Sequence, residues 1–142
     1  MSDAKLVRPA SKLTHEAGLL LVRAATAKAS AMGVPQVIAV VDDGCNLVAL
    51  LRMDGSRLLS IRIVTNKAMT AASTGLPTGD LTPSSELKLG LASDGRMTNL
   101  KGGLPIIVDG QVIGGIGVGS GTGDQDREVA QAAIDALLAA LA

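Results

Sequence analysis

The chain has no phenylalanine, tyrosine or tryptophan among its 142 residues. Each aromatic side chain normally brings about 150–250 Å² of buried surface to a core. Here the interior has to be built from Leu, Ile, Val, Ala and Met alone. The same absence removes base-stacking platforms and aromatic cages as recognition devices. Hydrophobic residues still make up 47% of the chain, too many for disorder. The length suits one domain, which can bury roughly two-thirds of its unfolded surface and needs no metal or disulfide to do so. Lys and Arg number 13, as do Asp and Glu, so the basic excess of a nucleic-acid-binding surface is missing.

The single cysteine, Cys45, and single histidine, His15, exclude an internal disulfide and a Cys/His zinc site within one chain. No metal is therefore expected. The residues Met-Ser-Asp-Ala-Lys-Leu-Val-Arg lack the apolar core of a signal peptide, and no run reaches the ~18 apolar residues of a membrane span. A cytoplasmic protein is expected. It should form a homo-oligomer that covers the apolar surface one small neutral domain leaves open.

Residues 1–12 carry Pro9 and no periodicity, and read as a flexible N-terminal arm preceding a domain over 13–142. Thr14 is a candidate N-cap, with Glu16 in the first turn and Ala17, Leu20, Leu21, Ala24, Ala27 and Ala31 at helical spacing. Gly33 and Pro35 supply the stop. Val37–Val41 and 47–51 read as strands joined through Asp42-Asp43-Gly44-Cys45-Asn46, a hairpin. Residues 60–73 form a second helix, with Ser60 its expected N-cap and Ile61, Val64, Ala68, Ala71 and Ala72 on one face.

The segment 76–103 is rich in Gly, Pro, Ser and Thr, with at most a short helix near 84–91, and stretches this long are often functional. Asp109-Gly110 then joins 104–108 to 111–119 in a second hairpin, since Asp-Gly favours the type I′ turn. Thr122-x-x-Gln125 is a capping box opening the last helix, whose face is Val129, Ala133, Ala136, Leu137, Ala140 and Leu141. Hairpins in place of βαβ crossovers imply a single α+β domain, an antiparallel sheet with helices packed on its faces. Glycines at 114, 115, 117 and 119 mean that a helix or a ligand lies close against the last strand.

No register of the run Gly114–Gly123 gives a dinucleotide or P-loop fingerprint, although its amide groups before a helix could hold a small anion. Ser120 lacks the G-x-S-x-G frame of a hydrolase elbow. Charged residues beside apolar runs are more suggestive. Asp42 ends the first strand, Arg52 ends the second, Lys67 lies on the second helix, and Lys101 precedes Gly102-Gly103-Leu104-Pro105. A fixed guanidinium beside a glycine-lined cleft suits a carboxylate or propionate, and an Arg52 ion pair with Asp42 or Asp54 is the structural alternative.

Several short pieces in a fixed order make the chain resemble the GlcG/HbpS family, which also includes the C-terminal domain of PduO-type proteins. They are Leu13-Thr14, Ala39-Val40-Val41-Asp42 before a Gly turn, Arg52-Met53-Asp54, Asn66-Lys67-Ala68 and Gly102-Gly103-Leu104-Pro105. Asp109-Gly110-x-Val112-Ile113-Gly114 and Gly117-Val118-Gly119-Ser120-Gly121 with Asp124-Gln125-Asp126 complete the set, over residues 13–141. Where the family's first turn usually reads Gly-Gly, this chain has Gly44-Cys45. The resemblance implies a profilin-like fold, homo-oligomers, and association with haem, with corrinoid-linked operons or with small organic acids.

Three functions follow as expectations. A small-ligand-binding protein would hold haem or a related tetrapyrrole, with His15 or a Met on the iron and Arg52 or Lys67 on a propionate. The Gly102, Gly103, Gly117, Gly119 and Ser120 backbone would line its site. A small cofactor-independent enzyme, an isomerase, tautomerase or hydrolase, would instead anchor an unsaturated, muconate-like carboxylate on Arg52 and move protons through Asp42, Glu86 or Lys67. A non-catalytic accessory subunit would do neither.

Overall fold

A computed structural model describes residues 6–142, so Met1–Lys5 of the expected arm lie outside the described residues. No helix or strand forms over 6–14, although Lys12 reaches Asp43 at 2.8 Å and the Ser11 amide donates to the Gln111 side chain.

The elements follow in the order α1 (His15–Met32), β1 (Val37–Asp42), β2 (Leu47–Arg52), α2 (Ser60–Thr74), α3 (Pro83–Ala92), β3 (Gly103–Val108), β4 (Gln111–Gly119) and α4 (Gly123–Leu141). Local signals set most of the boundaries. Thr14 caps α1 by accepting from the Ala17 amide, and Gly33 at φ 71° ends it with left-handed backbone. Thr122 and Gln125 form the reciprocal capping box of α4. Asp109 and Gly110, at φ 50° and 76°, make the tight second hairpin. The expected Ser60 cap is corrected: the N-cap is Leu59, without a side-chain bond, and the Ser60 hydroxyl meets Ser120 instead. In the first turn Cys45, not Gly44, takes the left-handed conformation at φ 64°.

The two hairpins join through β1 and β4 into one antiparallel sheet of order β2-β1-β4-β3. Alternation along β1 sends Ile38 and Val40 to one face and Val37, Ala39 and Val41 to the other, and all five are fully buried. The first face carries α1 and α4, which contribute Leu21, Val22, Ala25, Val129, Ala133 and Leu137 to the larger core. The second face carries α2 through Val64, Ala68 and Ala72. On β4, Gly115, Gly117 and Gly119, in register with Val41, Ala39 and Val37, occupy that second face. A Cβ on Gly115 would run into the Ala68 carbonyl oxygen, and one on Gly117 into that of Val64. With no aromatic side chain to hold the layers apart, α2 rests almost backbone-to-backbone on β4.

Candidate functional site

Where α2 crosses the end of β4, the sheet is only a glycine thick and a lysine fills the gap. Lys67 lies on the buried side of α2, beside Ala68, and is 3% exposed. Its Nζ donates to the Val118 carbonyl at 2.7 Å and to Asp126 Oδ2 at 3.0 Å. Asp126, in the first turns of α4, is equally buried. Its other oxygen accepts the Gly121 amide at 3.0 Å. The Gln36 amide, oriented so that its nitrogen meets acceptors, donates to Asp126 Oδ1 at 2.9 Å and to the Gly119 carbonyl. Burial pushes the Asp126 carboxyl above the ordinary aspartate range, while Lys67 and the two hydrogen-bond donors on Oδ1 pull it back down.

Above this pair opens a cleft of about 250 Å³, whose walls include Arg57, Ser60, Lys67, Lys101 and Ser120. Ser120 sits at φ 91°, a region an L-residue adopts only when its surroundings hold it there. Its hydroxyl accepts the Arg57 amide at 3.0 Å and donates to Ser60 Oγ at 2.8 Å. Ser60 keeps its own proton, and an ammonium has three donors of which Lys67 uses two. Lys101 pairs with the exposed Asp124 at 2.9 Å and holds that carboxyl below its usual range. The Arg57 guanidinium has no ion-pair partner among the described residues. Free donors and cations converge on one small mouth, which suits a carboxylate oxygen.

The structure brings several of the sequence-selected residues to this place. Gly119 opens the floor, Ser120 forms a wall, and Gly102, at φ 127°, lets the chain pass so close that a Cβ would stand 3.0 Å from Lys67 Nζ. Gly103 and Gly117 lie beneath the backbone of α2, at Lys67 and Val64. Arg52 is in register with Val37, which is in register with Gly119. It therefore shares the face and the end of the sheet, roughly 10 Å away across two strand spacings. Arg52 is exposed, and no ion pair joins it to Asp42 or Asp54 among the described residues.

Three others stand apart. Asp42 pairs with Gly114 at the opposite end of the sheet, where its carboxylate accepts the Gly44 and Asn46 amides, each at 2.9 Å. Those bonds hold its carboxyl below the usual range. His15, the first residue of α1, is exposed at that same far end, three residues from the Lys12–Asp43 pair. Glu86 is exposed on α3 and accepts from the Asn99 side chain at 3.1 Å. Among the described residues no three His, Cys, Asp or Glu side chains gather as a metal-binding group. No helix of the described residues is long and apolar enough to cross a membrane.

Asp126, Gln36, Ser60 and Arg57 were not selected from sequence as site residues. One signal was available for Asp126: Lys67 falls on an apolar helix face, and a lysine there needs a buried counter-charge.

The antiparallel α+β architecture is shared with a family of known proteins. Residues 13–135 match the family described as haem degrading protein HbpS-like, and the chain belongs to that family. It is 39% identical over 128 residues to an uncharacterized 15.0 kDa protein from the dhaT-dhaS intergenic region of Citrobacter freundii, covering 87% of this chain and 90% of that one. The protein ORFY of Klebsiella pneumoniae superposes with a TM-score of 0.89 at 34% identity, covering 98% of this chain and 97% of that structure. The PduOC–haem complex superposes with a TM-score of 0.81 at 30% identity, covering 89% and 95%.

Proposed function

We propose that this protein binds haem or a related tetrapyrrole, with one propionate seated in the Lys67 cleft. The observation that carries the reading is the pair of donors uncommitted among the described residues, Ser60 Oγ and the third Lys67 N–H, beside the Arg57 guanidinium, which has no ion-pair partner among those residues. A cleft of about 250 Å³ accepts a propionate but not a macrocycle, since pockets for drug-sized ligands run to about 300–1,000 Å³. Ile63 and Leu100 line the cleft, and Leu58 and Leu59, between the lining residues Arg57 and Ser60 in sequence, are 66% and 83% exposed, so together they offer an apolar surface for the ring. The structure of PduOC with haem supports the same ligand class. In this reading His15 is the axial ligand, and its place at the far end of the sheet makes a second copy of the chain its source. A cytoplasmic homo-oligomer is part of the proposal.

The test is a haem titration followed by absorption. The chain has no Trp or Tyr, so near-ultraviolet and visible bands belong to the ligand. A saturable Soret shift, weakened by Arg57→Ala and by His15→Ala, is expected. An unchanged spectrum of free haem at excess protein refutes the reading.

A second reading is favoured by the elevated Asp126 carboxyl beside Lys67: a cofactor-independent enzyme acting on a small unsaturated carboxylate. Arg52 or Arg57 would anchor the acid at the rim, and Lys67 with Asp126 would relay the proton. Glu86 and Asp42, on other parts of the surface, would take no part in that relay. Loss of the conjugated-diene absorbance of a muconate on mixing, abolished by Arg52→Ala, would establish it.

A further inference from the structure

Leu100, Lys101, Gly102 and Gly103, at the end of the segment 76–103, belong to the Lys67 site, while its earlier part, residues 76–98, encloses a cavity of its own. About 200 Å³ lies between α2 and this segment, with Leu89 of α3, Leu81 and Met97 on one side and Thr70 and Thr74 of α2 on the other. We propose that this cavity is a second ligand site, which takes a neutral molecule the size of one six-membered ring with a short substituent.

The threonines decide the chemistry. Thr70 donates its hydroxyl to the Asn66 carbonyl at 2.7 Å, Thr74 to that of Thr70 at 2.9 Å, and Thr78 to that of Leu100 at 2.6 Å. Each also accepts a backbone amide, from Thr98, Leu76 and Gly103 respectively. These three hydroxyls are committed to the protein, and the wall they leave is apolar. Asp80, at the edge, faces Arg127 at 3.5 Å. Thr98, the fourth lining threonine, accepts the Leu100 amide and keeps its own proton, but one hydroxyl does not replace the water a carboxylate gives up, and the acid would also meet the Asp80 charge. Water would find too few partners to settle. An apolar cavity of about 150 Å³ already accepts benzene, so this one has room for a substituted ring and none for a tetrapyrrole.

The roof is built to open. No residue of α3 is buried. Its start is held by Asn99, which accepts the Leu81 amide at 2.9 Å and donates to the Leu81 carbonyl at 3.0 Å. Beyond its end, Asn66 of α2 donates to the Gly95 carbonyl at 3.3 Å. Two asparagine clasps hold a helix with no packing of its own, which allows entry without disturbing the sheet.

The experiment is ¹⁹F NMR of 4-fluorotoluene and of 4-fluorobenzoate titrated with the whole chain. Saturable shift of the toluene is expected, with the benzoate weaker by more than ~10-fold. Leu89→Trp, which fills the cavity, should abolish toluene binding and give a blue-shifted emission from the only tryptophan, with haem titration unchanged. Leu89→Ala, which enlarges the cavity, should extend binding to 1-fluoronaphthalene. No toluene shift, equal binding of the benzoate, or toluene binding that survives in a folded Leu89→Trp chain would each overturn the proposal.

Discussion

Lys67 and Asp126 are each 3% exposed and face one another across 59 residues of sequence. Two charges out of water stabilise a fold only when their remaining bonds are satisfied, and Val118, Gly121 and Gln36 supply most of these here, leaving one Lys67 N–H for the cleft. Breaking the pair from one side is the costly change. Lys67→Met should lose about 3–5 kcal/mol in urea unfolding, because Asp126 is left charged and buried. Adding Asp126→Leu should recover most of that loss. A single variant within about 1 kcal/mol of the parent would show that the pair is not a coupled unit. Two of the three shifted aspartates, Asp42 and Asp126, also pull stability in opposite directions with pH. Asp42 is lowered by its turn bonds, so its contribution is present above the ordinary value of 3.8 and is lost as pH falls through the depressed one. Asp126 is raised, so its contribution is fully present below 3.8 and is lost as pH rises through the elevated value. Asp42→Ala should therefore cost about 1–2 kcal/mol at neutral pH and progressively less in acid, as read by unfolding midpoints from pH 7 to 3.

At the scale of the elements, the contact between α2 and β4 is set by missing side chains. Gly117→Ala would push a methyl into the Val64 carbonyl, with backbone on both sides and no flexible chain to yield. A loss of about 3 kcal/mol is expected in chemical denaturation. Gly90, on α3, has open space where its Cβ would be, so Gly90→Ala should leave stability unchanged or raise it by up to ~1 kcal/mol. Similar losses for the two would refute the close-approach account. That approach was half legible in the sequence. The glycine run announced a close neighbour, but only the register of β4 on β1 and β3 distinguishes α2 from a ligand. Capping chemistry was legible wherever it was local, at Thr14, Gly33, Asp109-Gly110 and Thr122. It failed at Ser60, because that hydroxyl answers to Ser120, 60 residues away. The site failed to read for the same reason: Lys67 was visible as an oddity, whereas Asp126 becomes its partner, and Gln36 the partner of Asp126, only through the meeting of β1, β4 and α4.

For the molecule as a whole, the two ends of the sheet carry different halves of the proposed haem site. Val37, Arg52 and Gly119 line up at the end that holds Lys67, Ser60 and Arg57. Asp42 and Gly114 mark the other, where His15 begins α1. The α2 face of the edge strand β2 is uncovered at Leu47 and Leu50, 54% and 39% exposed, and Ile61 on α2 adds to that surface. An edge strand with apolar side chains beside it is a ready seat for another chain. If copies meet so that one supplies the cleft and the next supplies His15, two defective variants repair one another. His15→Ala keeps an intact cleft, and Arg57→Ala keeps an intact histidine. Unfolded together, refolded as a mixture and titrated with haem, they should regain about a quarter of the parental Soret amplitude, the fraction of sites that pair a sound cleft with a sound histidine. Each variant refolded alone should show only its own weakened shift, with no such gain. A mixture no better than the average of its parts would place cleft and ligand in one chain, or remove His15 from the site.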